Sequence, residues 1–167
     1  MDELNLKLKK IKLFATDFDG VHTDGKVYVD KAGRESVKCS RKDGLGYEML
    51  KKADIDACVI SKESNLVVLQ RCKKLNIPCY QGVSDGQGKL EILKNIAVKL
   101  GLSAEEILYI GDDVNDREAL EFAGVAIAVK DCHPSLLKIV DYVTTKKGGD
   151  HAIREVCELL LFAKSLV

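Results

Sequence analysis

The sequence predicts an α/β fold in which helices flank a parallel sheet on both faces. Short apolar segments of strand length alternate with amphipathic segments of helix length along the 167 residues. The apolar segments are continuous rather than alternating with polar residues, which is typical of parallel strands that are buried on both faces. Two β-rich arms around Lys31, Ala32 and Gly33 add a hairpin after the first strand.

The strands are predicted from short apolar runs that end in glycine or in polar residues. Some of them have the composition of fully buried strands, and others are shorter and more polar. The buried strands are expected at 11–17, 56–61, 107–111 and 125–129, and the shorter strands at 78–82 and 141–145.

Helices are predicted where apolar residues recur with helical spacing. The segment 89–100 shows this most clearly, because its leucine, isoleucine and alanine residues lie on one face. The segment 103–106 has the pattern of a capping box before the third buried strand, and Pro134 is suited to the first turn of a helix. The other helices are expected at 44–53 with Asp43 as its cap, 65–75, 116–123, 134–140 and 151–166.

Composition and charge exclude several classes of function. The chain carries 26 basic and 26 acidic residues, so no basic excess indicates nucleic acid or an anionic membrane as a partner. It has neither an apolar run of about 18 residues nor a signal-peptide pattern at its start, which favours the cytoplasm. None of the six cysteines forms a C-x-x-C pair, so reduced thiols are expected rather than a zinc site. Without linkers or repeats, a single domain over 1–167 is expected.

Polar residues suited to chemistry follow three of the predicted strands. Asp17 and Asp19 end the first strand, Ser61 ends the second, and Asp112 with its acidic neighbours ends the third. Lys89 begins a helix that follows a further strand. Ligands in open parallel sheets bind beyond the carboxyl ends of the strands, so these segments are expected to converge on one edge.

The acidic residues at this edge predict a divalent cation. Carboxylates that are crowded together raise one another's pKa unless a cation is present. A ligand set made of oxygen alone, without histidine or cysteine, favours a hard ion such as Mg²⁺. Magnesium typically bridges protein carboxylates and a phosphate, and Lys89 and the Ser61 hydroxyl are suited to hold the other phosphate oxygens.

These segments resemble the four motifs of the haloacid dehalogenase superfamily. DFDGVHTDG is similar to the first motif and GDDVND to the fourth, while Ser61 stands for the second and Lys89 for the third. The resemblance implies a Rossmann-like fold and a magnesium-dependent phosphatase. D-G-V-x-T-D-G, R-K-D-G-L-G, Y-Q-G-V and K-G-G-D-H-A-I-R-E further resemble a subfamily that acts on 3-deoxy-D-manno-octulosonate 8-phosphate or on nonulosonate 9-phosphates. The C-terminal domains of sialic acid cytidylyltransferases share this pattern.

The resemblance implies a role for each matching residue. Asp17 would be the nucleophile and a metal ligand, and Asp19 would be the general acid and then the general base, with its backbone carbonyl on the metal. Asp112 would complete the metal ligands of the protein, and Ser61 and Lys89 would bind the phosphate. The acids that would support these ligands without touching the metal are Asp113 and Asp116.

The stretch after the second motif bears on the substrate. Octulosonate phosphatases usually read T-G-R there, whereas this chain reads Ser61-Lys62-Glu63, and a glutamate at this position resembles the nonulosonate 9-phosphate phosphatases. We therefore expect a nine-carbon sugar-acid phosphate such as KDN or N-acylneuraminate 9-phosphate, with the eight-carbon phosphate as the alternative. Arg71 and Lys74 match the same group, but they are equally compatible with a solvated helix face. The residues expected to contact the substrate are Thr23, Ser61, Glu63, Arg71, Lys74 and Lys89.

Many members of the superfamily carry a cap domain, and this chain has no room for one. Residues 24–60 hold only a hairpin and a short helix, and residues 64–89 hold one helix, one strand and a loop. An open site admits water, which weakens electrostatic stabilisation. We expect a neighbouring subunit to cover the site, with the hairpin at about 26–39 as the assembly element, and the subfamily implies a homotetramer.

Two other classes of protein share some of these features. An inert assembly domain of a sialic acid cytidylyltransferase would tolerate the loss of its acids, yet Asp17, Asp19, Lys89 and Asp112 are all present. A signalling receiver domain also phosphorylates an aspartate at a strand end, but the early D-x-D followed by a hairpin argues against it. His22 stands where the subfamily usually has an apolar residue, and a packed histidine is expected there.

Overall fold

Six parallel strands form the central sheet of the protein, whose computed structural model describes residues 3–166. In chain order the strands are β1 (Leu13–Thr16), β2 (Tyr28–Val29), β3 (Glu35–Ser36), β4 (Asp56–Ile60), β5 (Cys79–Tyr80), β6 (Ile107–Gly111), β7 (Val125–Ala128) and β8 (Tyr142–Val143). The sheet order is β5-β4-β1-β6-β7-β8, with every neighbouring pair parallel. The strands β2 and β3 pair as a separate antiparallel hairpin. The predicted fold class is therefore confirmed.

Helices cover both faces of this sheet. They are α1 (Glu3–Lys10), α2 (Arg41–Lys52), α3 (Leu66–Leu75), α4 (Gly86–Leu100), α5 (Arg117–Phe122) and α6 (Ala152–Ala163). The first of them was not predicted, because only Leu8 of this lysine-rich helix is fully buried and its sequence lacks a broad apolar stripe. None of the helices within residues 3–166 combines the length and the apolar character needed to cross a membrane.

Several helix ends differ from the sequence prediction. The helix expected at 134–140 is only a 3₁₀ turn at Pro134–Leu136. Ser40, and not Asp43, caps α2, since its hydroxyl accepts a hydrogen bond from the backbone N–H of Lys42 at 3.1 Å. The Asp43 carboxylate instead accepts one from the backbone N–H of Arg154 at 3.0 Å, in the first turn of α6. A long-range cap of this kind is invisible to local sequence patterns.

The core divides between the two faces of the sheet with the alternation that strands impose. In β1, Phe14 packs into the cluster beneath α1, α2 and α6, while Leu13 and Ala15 pack into the cluster beneath α4 and α5. In β6, Leu108 faces the first cluster and Tyr109 the second. Both faces are apolar, which is why the strands read as continuous hydrophobic runs.

The carboxyl ends of β1, β4 and β6 lie side by side at the middle of the sheet. From β1 the chain first builds outward through β4 and β5 and later continues through β6 on the other side. This reversal of direction is the topological switch point at which open α/β sheets bind their ligands. Within the described residues, the hairpin with α2 follows β1, and α3 with β5 follows β4; no cap domain is present.

Candidate active site

Three aspartates meet at the switch point. Asp17 follows β1, Asp112 follows β6, and Asp116 ends the 3₁₀ turn Val114–Asp116. One carboxylate oxygen of each lies within 4.8 Å of the others, and Asp17 and Asp116 are almost completely buried. The predicted convergence of Asp17 and Asp112 from distant parts of the chain is thus observed.

Gly20 allows Asp112 to approach the loop after β1. It has φ +77°, and a Cβ atom placed there would lie 1.9 Å from Oδ2 of Asp112. A side chain at this position would displace the Asp112 carboxylate as well as strain the backbone. Gly20 is therefore required by the close contact between the loop after β1 and the Asp112 carboxylate after β6.

Lys89 reaches the carboxylates from the first turn of α4. Its Nζ lies 2.9 Å from Oδ2 of Asp17 and 2.7 Å from Oδ1 of Asp116, and its side chain is completely buried. Burial by itself lowers the pKa of Lys89, but the two adjacent carboxylates outweigh that effect and the net shift of its pKa is upward. Lys89 therefore stays protonated and places a fixed positive charge beside Asp17.

Asp116 is the structural centre of the site. Its Oδ1 accepts hydrogen bonds from Lys89 and from the hydroxyl of Tyr109 at 2.9 Å, and its Oδ2 accepts from the backbone N–H of Asp112 at 2.9 Å and of Asp113 at 3.3 Å. These four donors occupy both oxygens, so Asp116 orients its neighbours and has little capacity left for a metal ion. Sequence analysis missed Tyr109, although a tyrosine within a buried strand needs a partner for its hydroxyl.

The surroundings of Asp17 and Asp112 raise the pKa values of both carboxyl groups. Burial raises the pKa of Asp17 well above its ordinary value, Asp116 raises it further, and Lys89 opposes both effects. Burial, followed by the charges of Asp116 and Asp113, raises the pKa of Asp112 to about 7. A cation between Asp17 and Asp112 would remove this repulsion.

The donor set fits magnesium. Asp17 and Asp112 offer carboxylate oxygens within reach of each other, and hard oxygen ligands are those that Mg²⁺ prefers. The neutral amides and the lysine nearby are fixed by Asp116, so they do not compete for the ion. Asp17 and Asp112 are the side chains that would hold it.

Asp113 lies outside the carboxylate cluster. It is exposed, and its Oδ1 accepts a hydrogen bond from the backbone N–H of Val114 at 2.7 Å. This contact caps the 3₁₀ turn that carries Asp116 toward Lys89. The role expected from the sequence, support without metal contact, agrees with this position.

Asp19 and Ser61 follow two neighbouring strands, β1 and β4. Ser61 is buried at the end of β4, and its Oγ accepts a hydrogen bond from the backbone N–H of Glu63 at 3.2 Å. Burial raises the pKa of Asp19, and the charge of Glu63 adds to the shift. Asp19 is half-buried and, together with Glu63, lines a groove of about 270 Å³.

Thr23 and His22 are structural residues of the loop after β1. The Oγ1 of Thr23 accepts hydrogen bonds from the backbone N–H groups of Gly20 at 3.2 Å and Gly25 at 3.1 Å, so Thr23 closes the loop and is fully buried. The hydroxyl of Thr23 is thus engaged within the loop, and its contact with the substrate remains a prediction. His22 is packed as expected, with its Nε2 3.0 Å from the hydroxyl of Tyr47, and burial lowers its pKa to about 3.

The structure does not bring Arg71 or Lys74 to this site. The Nη2 of Arg71 donates a hydrogen bond to the backbone carbonyl of Ser40 at 2.7 Å, which ties α3 to the cap of α2. Lys74 lines a groove with Asp56 and Pro78, at the amino ends of β4 and β5. A helix rises about 1.5 Å per residue, so Lys74 lies roughly 12 Å along α3 from Leu66, the first residue of this helix. Neither residue lines the groove beside Asp19, and their contacts with the substrate remain predictions.

Comparison with known proteins agrees with this geometry. The family model for haloacid dehalogenase-like hydrolases matches residues 49–156. The chain belongs to this family. As a haloacid dehalogenase-like hydrolase it is a phosphoric monoester hydrolase that uses Mg²⁺, and both expectations are confirmed.

Its relatives include phosphatases that are named for the phosphate ester of a sugar acid. The 3-deoxy-D-manno-octulosonate 8-phosphate phosphatase of Escherichia coli strain K12 is 38% identical over 159 residues, which cover 95% of this chain and 83% of that protein. The corresponding enzyme of Moraxella catarrhalis, solved in complex with magnesium, phosphate and KDO, is 40% identical with a TM-score of 0.94, covering 99% of this chain and 94% of that one. The cobalt-bound enzyme of Haemophilus influenzae is 33% identical with a TM-score of 0.89, covering 95% and 92%.

Proposed function

We propose that the protein hydrolyses the phosphate monoester of a sugar acid through a phosphoryl group carried on Asp17. The observation that supports this most is the position of Asp17, buried between the ammonium group of Lys89 at 2.9 Å and the carboxylate of Asp112. A buried carboxylate beside a fixed cation and a metal-binding acid is suited to attack phosphorus, because the negative charge of the phosphoryl group is compensated on both sides.

In the first half-reaction a carboxylate oxygen of Asp17 forms a bond to phosphorus, and the bond between phosphorus and the sugar oxygen breaks. Asp19, whose pKa is raised by burial and by Glu63, donates its proton to the departing oxygen. In the second half-reaction a water molecule attacks the same phosphorus and gives a proton to the Asp19 carboxylate. The bond to Asp17 breaks, and inorganic phosphate leaves.

Lys89 and Ser61 hold the phosphoryl oxygens in this proposal. Lys89 keeps its charge because Asp17 and Asp116 raise its pKa, and Ser61 stands at the end of the strand next to β1. Magnesium, when bound by Asp17 and Asp112, supplies the charge that neutralises the transferring group. The backbone carbonyl of Asp19 is proposed as its third protein ligand.

The substrate that we propose first is 3-deoxy-D-manno-octulosonate 8-phosphate. The relatives that act on it resemble this chain over almost its entire length, at 33% to 40% identity. The residues Ser61-Lys62-Glu63 favour a nonulosonate 9-phosphate instead, but none of the relatives reported above carries that activity in its name. The eight-carbon substrate, which was the alternative, is therefore better supported.

A nine-carbon phosphate remains the second candidate because of Glu63. This residue lines the groove beside Asp19, at the position where octulosonate phosphatases usually carry arginine. A glutamate accepts hydrogen bonds from hydroxyl groups, whereas an arginine pairs with a carboxylate. The exchange therefore changes which part of a sugar acid can lie beside the leaving oxygen.

Specificity constants for the eight-carbon and nine-carbon phosphates, measured in the presence of Mg²⁺, decide between the two substrates. The proposal expects kcat/KM to be higher for the octulosonate phosphate. If Glu63 contacts the sugar, the variant Glu63→Arg should raise that preference further. An unchanged ratio of the two kcat/KM values would show that Glu63 does not determine specificity. The variant Asp17→Asn should fold normally and show no turnover; full activity would refute the covalent step.

We further propose that the protein assembles as a homotetramer in which a neighbour covers the open site. The hairpin exposes three consecutive apolar residues, Val27, Tyr28 and Val29, of which Tyr28 is 71% exposed. Such a patch is typical of an interaction surface. Light scattering at micromolar concentration should give four times the monomer mass, and Tyr28→Lys should lower it. A monomeric wild type would refute the assembly.

Cytoplasmic localisation and independence from nucleic acids and membranes remain part of the proposal. All six cysteines are free thiols, which is expected in a reducing compartment. The other assignment, an inert assembly domain of a cytidylyltransferase, would require the acids and Lys89 to have no function, and the phosphatase assay above tests it directly.

A further inference from the structure

The groove beside Asp19 carries a second glutamate that the sequence analysis did not connect with the site. Its floor is formed by apolar side chains of the first motif, the hairpin and α3, and its polar rim is contributed by three carboxylates and one amide. The carboxylates and the amide belong to Asp19, Glu35, Glu63 and Asn65. Glu35 comes from β3, so the hairpin supplies part of the wall next to the proposed general acid.

Glu35 is held in place by the cap of α3. The Nδ2 of Asn65 donates a short hydrogen bond to Oε2 of Glu35, while the Oδ1 of Asn65 accepts one from the backbone N–H of Val67 at 3.0 Å. Asn65 is thereby fixed at both ends, and it fixes one oxygen of Glu35. No hydrogen bond within residues 3–166 involves the other oxygen, Oε1, and because Glu35 is exposed and lines the groove, this oxygen is open to solvent or to a ligand. A fixed carboxylate with one free acceptor is prepared for a ligand donor.

The negative charge of the groove limits which ligand groups can bind there. Glu35 and Glu63 both lie close enough to Asp19 to act on its carboxyl group. No cationic side chain of the described residues lines this groove. A carboxylate of the ligand would be repelled here and would find no partner after desolvation. Hydroxyl groups, in contrast, donate hydrogen bonds to carboxylates and leave their CH groups free to lie on the apolar floor.

We propose that Glu35 is a specificity residue that binds hydroxyl groups of the leaving sugar, and that the sugar's own carboxylate lies outside this groove. The inference rests on the proposed phosphatase function and adds the orientation of the substrate to it. With phosphorus at Asp17, the leaving oxygen lies beside Asp19, and the carbon chain attached to it continues past Glu63 toward Glu35.

The size of the groove agrees with this orientation. Its volume of about 270 Å³ is just below the range of roughly 300–1,000 Å³ typical of sites that enclose a whole small ligand. A groove of this size beside Asp19 is suited to the part of a sugar acid next to the phosphate. The carboxylate, at the opposite end of the carbon chain, extends beyond the hairpin to solvent or to the neighbouring subunit.

The test compares three phosphate esters in the full-length enzyme with Mg²⁺. They are 3-deoxy-D-manno-octulosonate 8-phosphate, its analogue with the carboxylate reduced to a hydroxymethyl group, and p-nitrophenyl phosphate, which has no hydroxyl groups to bind. Glu35→Ala should lower kcat/KM for both sugar phosphates about tenfold, as expected for the loss of a hydrogen bond to a charged group. The loss should be much smaller for p-nitrophenyl phosphate, because it has no hydroxyl groups to bind and its leaving group departs readily without the proton of Asp19.

Two further variants separate recognition from folding. Glu35→Gln keeps an acceptor for Asn65 and so preserves the position of the hairpin; it should give an intermediate loss on the sugar phosphates. Glu48→Ala, an exposed glutamate of α2 outside the groove, is the matched control and should change none of the three rates.

The outcomes are distinguishable. Sugar-phosphate kinetics unchanged by Glu35→Ala would overturn the role of Glu35 while leaving the phosphatase function intact. Glu35→Gln could instead raise kcat/KM for the octulosonate phosphate severalfold relative to its reduced analogue. The carboxylate would then lie in the groove, and the proposed orientation would be wrong. If the wild type hydrolysed none of the esters, the proposed function itself would fail and this inference with it.

Discussion

Lys89 and Asp116 form a completely buried ion pair, with Nζ of Lys89 2.7 Å from Oδ1 of Asp116. The pair joins the first turn of α4 to the 3₁₀ turn after β6, two segments that are 27 residues apart. It holds Lys89 in position beside Asp17 before any substrate arrives. Charge that is already oriented needs no reorganisation during the reaction, which is the source of most electrostatic catalysis.

The pair also predicts a stability effect. Lys89→Met should lower the free energy of unfolding by about 3–5 kcal/mol, because it leaves the carboxylates of Asp17 and Asp116 buried without their cation. Urea unfolding at pH 7 without Mg²⁺ measures it. Lys99→Met, at an exposed position on the same helix, is the control and should change stability by less than about 0.5 kcal/mol. A loss below about 1 kcal/mol for Lys89→Met would show that the pair is not a stabilising element.

Asp19→Asn should slow turnover by roughly 10²–10⁴, since the amide can neither give nor take the proton. The loss should be smaller for p-nitrophenyl phosphate, whose leaving group departs readily without protonation. Steady-state kinetics with both ester types measure this difference. Asp54→Asn, at an exposed residue with φ 53° that asparagine tolerates, serves as the control. Equal losses on both esters would argue against general-acid catalysis.

Magnesium affinity should rise as the pH increases through about 7. Burial and the charges of Asp116 and Asp113 raise the pKa of Asp112 to about 7, so a proton competes with the metal below that pH. Calorimetric titrations with Mg²⁺ at pH 6, 7 and 8 should show the weakest binding at pH 6, and chelation by EDTA should abolish activity that added Mg²⁺ restores. Affinity that is identical at pH 6 and pH 8 would contradict the assignment of Asp112 as a ligand.

A second pH effect is predicted outside the cluster of Asp17, Asp112 and Asp116, at Asp43. Burial raises the pKa of Asp43 from 3.8 to about 6 in the folded protein, and its Oδ2 is buried without a hydrogen-bond partner. Between these values the folded state keeps a proton that the unfolded state loses, so stability is lost as the pH rises from about 4 to 6. As the pH rises through this window, the wild type should lose about 1–3 kcal/mol of unfolding free energy relative to the variant Asp43→Asn. A difference that does not vary with pH would contradict the shifted pKa.

The sequence by itself determined the fold class and the acids of the site. Strand–helix alternation is written in the local periodicity of apolar residues, and the D-x-D and G-D-D segments stand where buried strands end. Because parallel strands share a carboxyl edge, Asp17 and Asp112 had to meet once the sheet formed. These predictions depend only on the local spacing of apolar residues and on the parallel direction of the strands, and both can be inferred from the sequence.

Only the tertiary structure decided which partner each polar side chain has. It turned Asp43 from the cap of its own helix to α6, tied Arg71 to the backbone of Ser40, and placed Lys74 beside the amino ends of β4 and β5. It also brought Glu35 of the hairpin into the groove beside Asp19. Each of these contacts joins residues far apart in the chain, and their geometry follows from how whole elements pack, which no local spacing encodes.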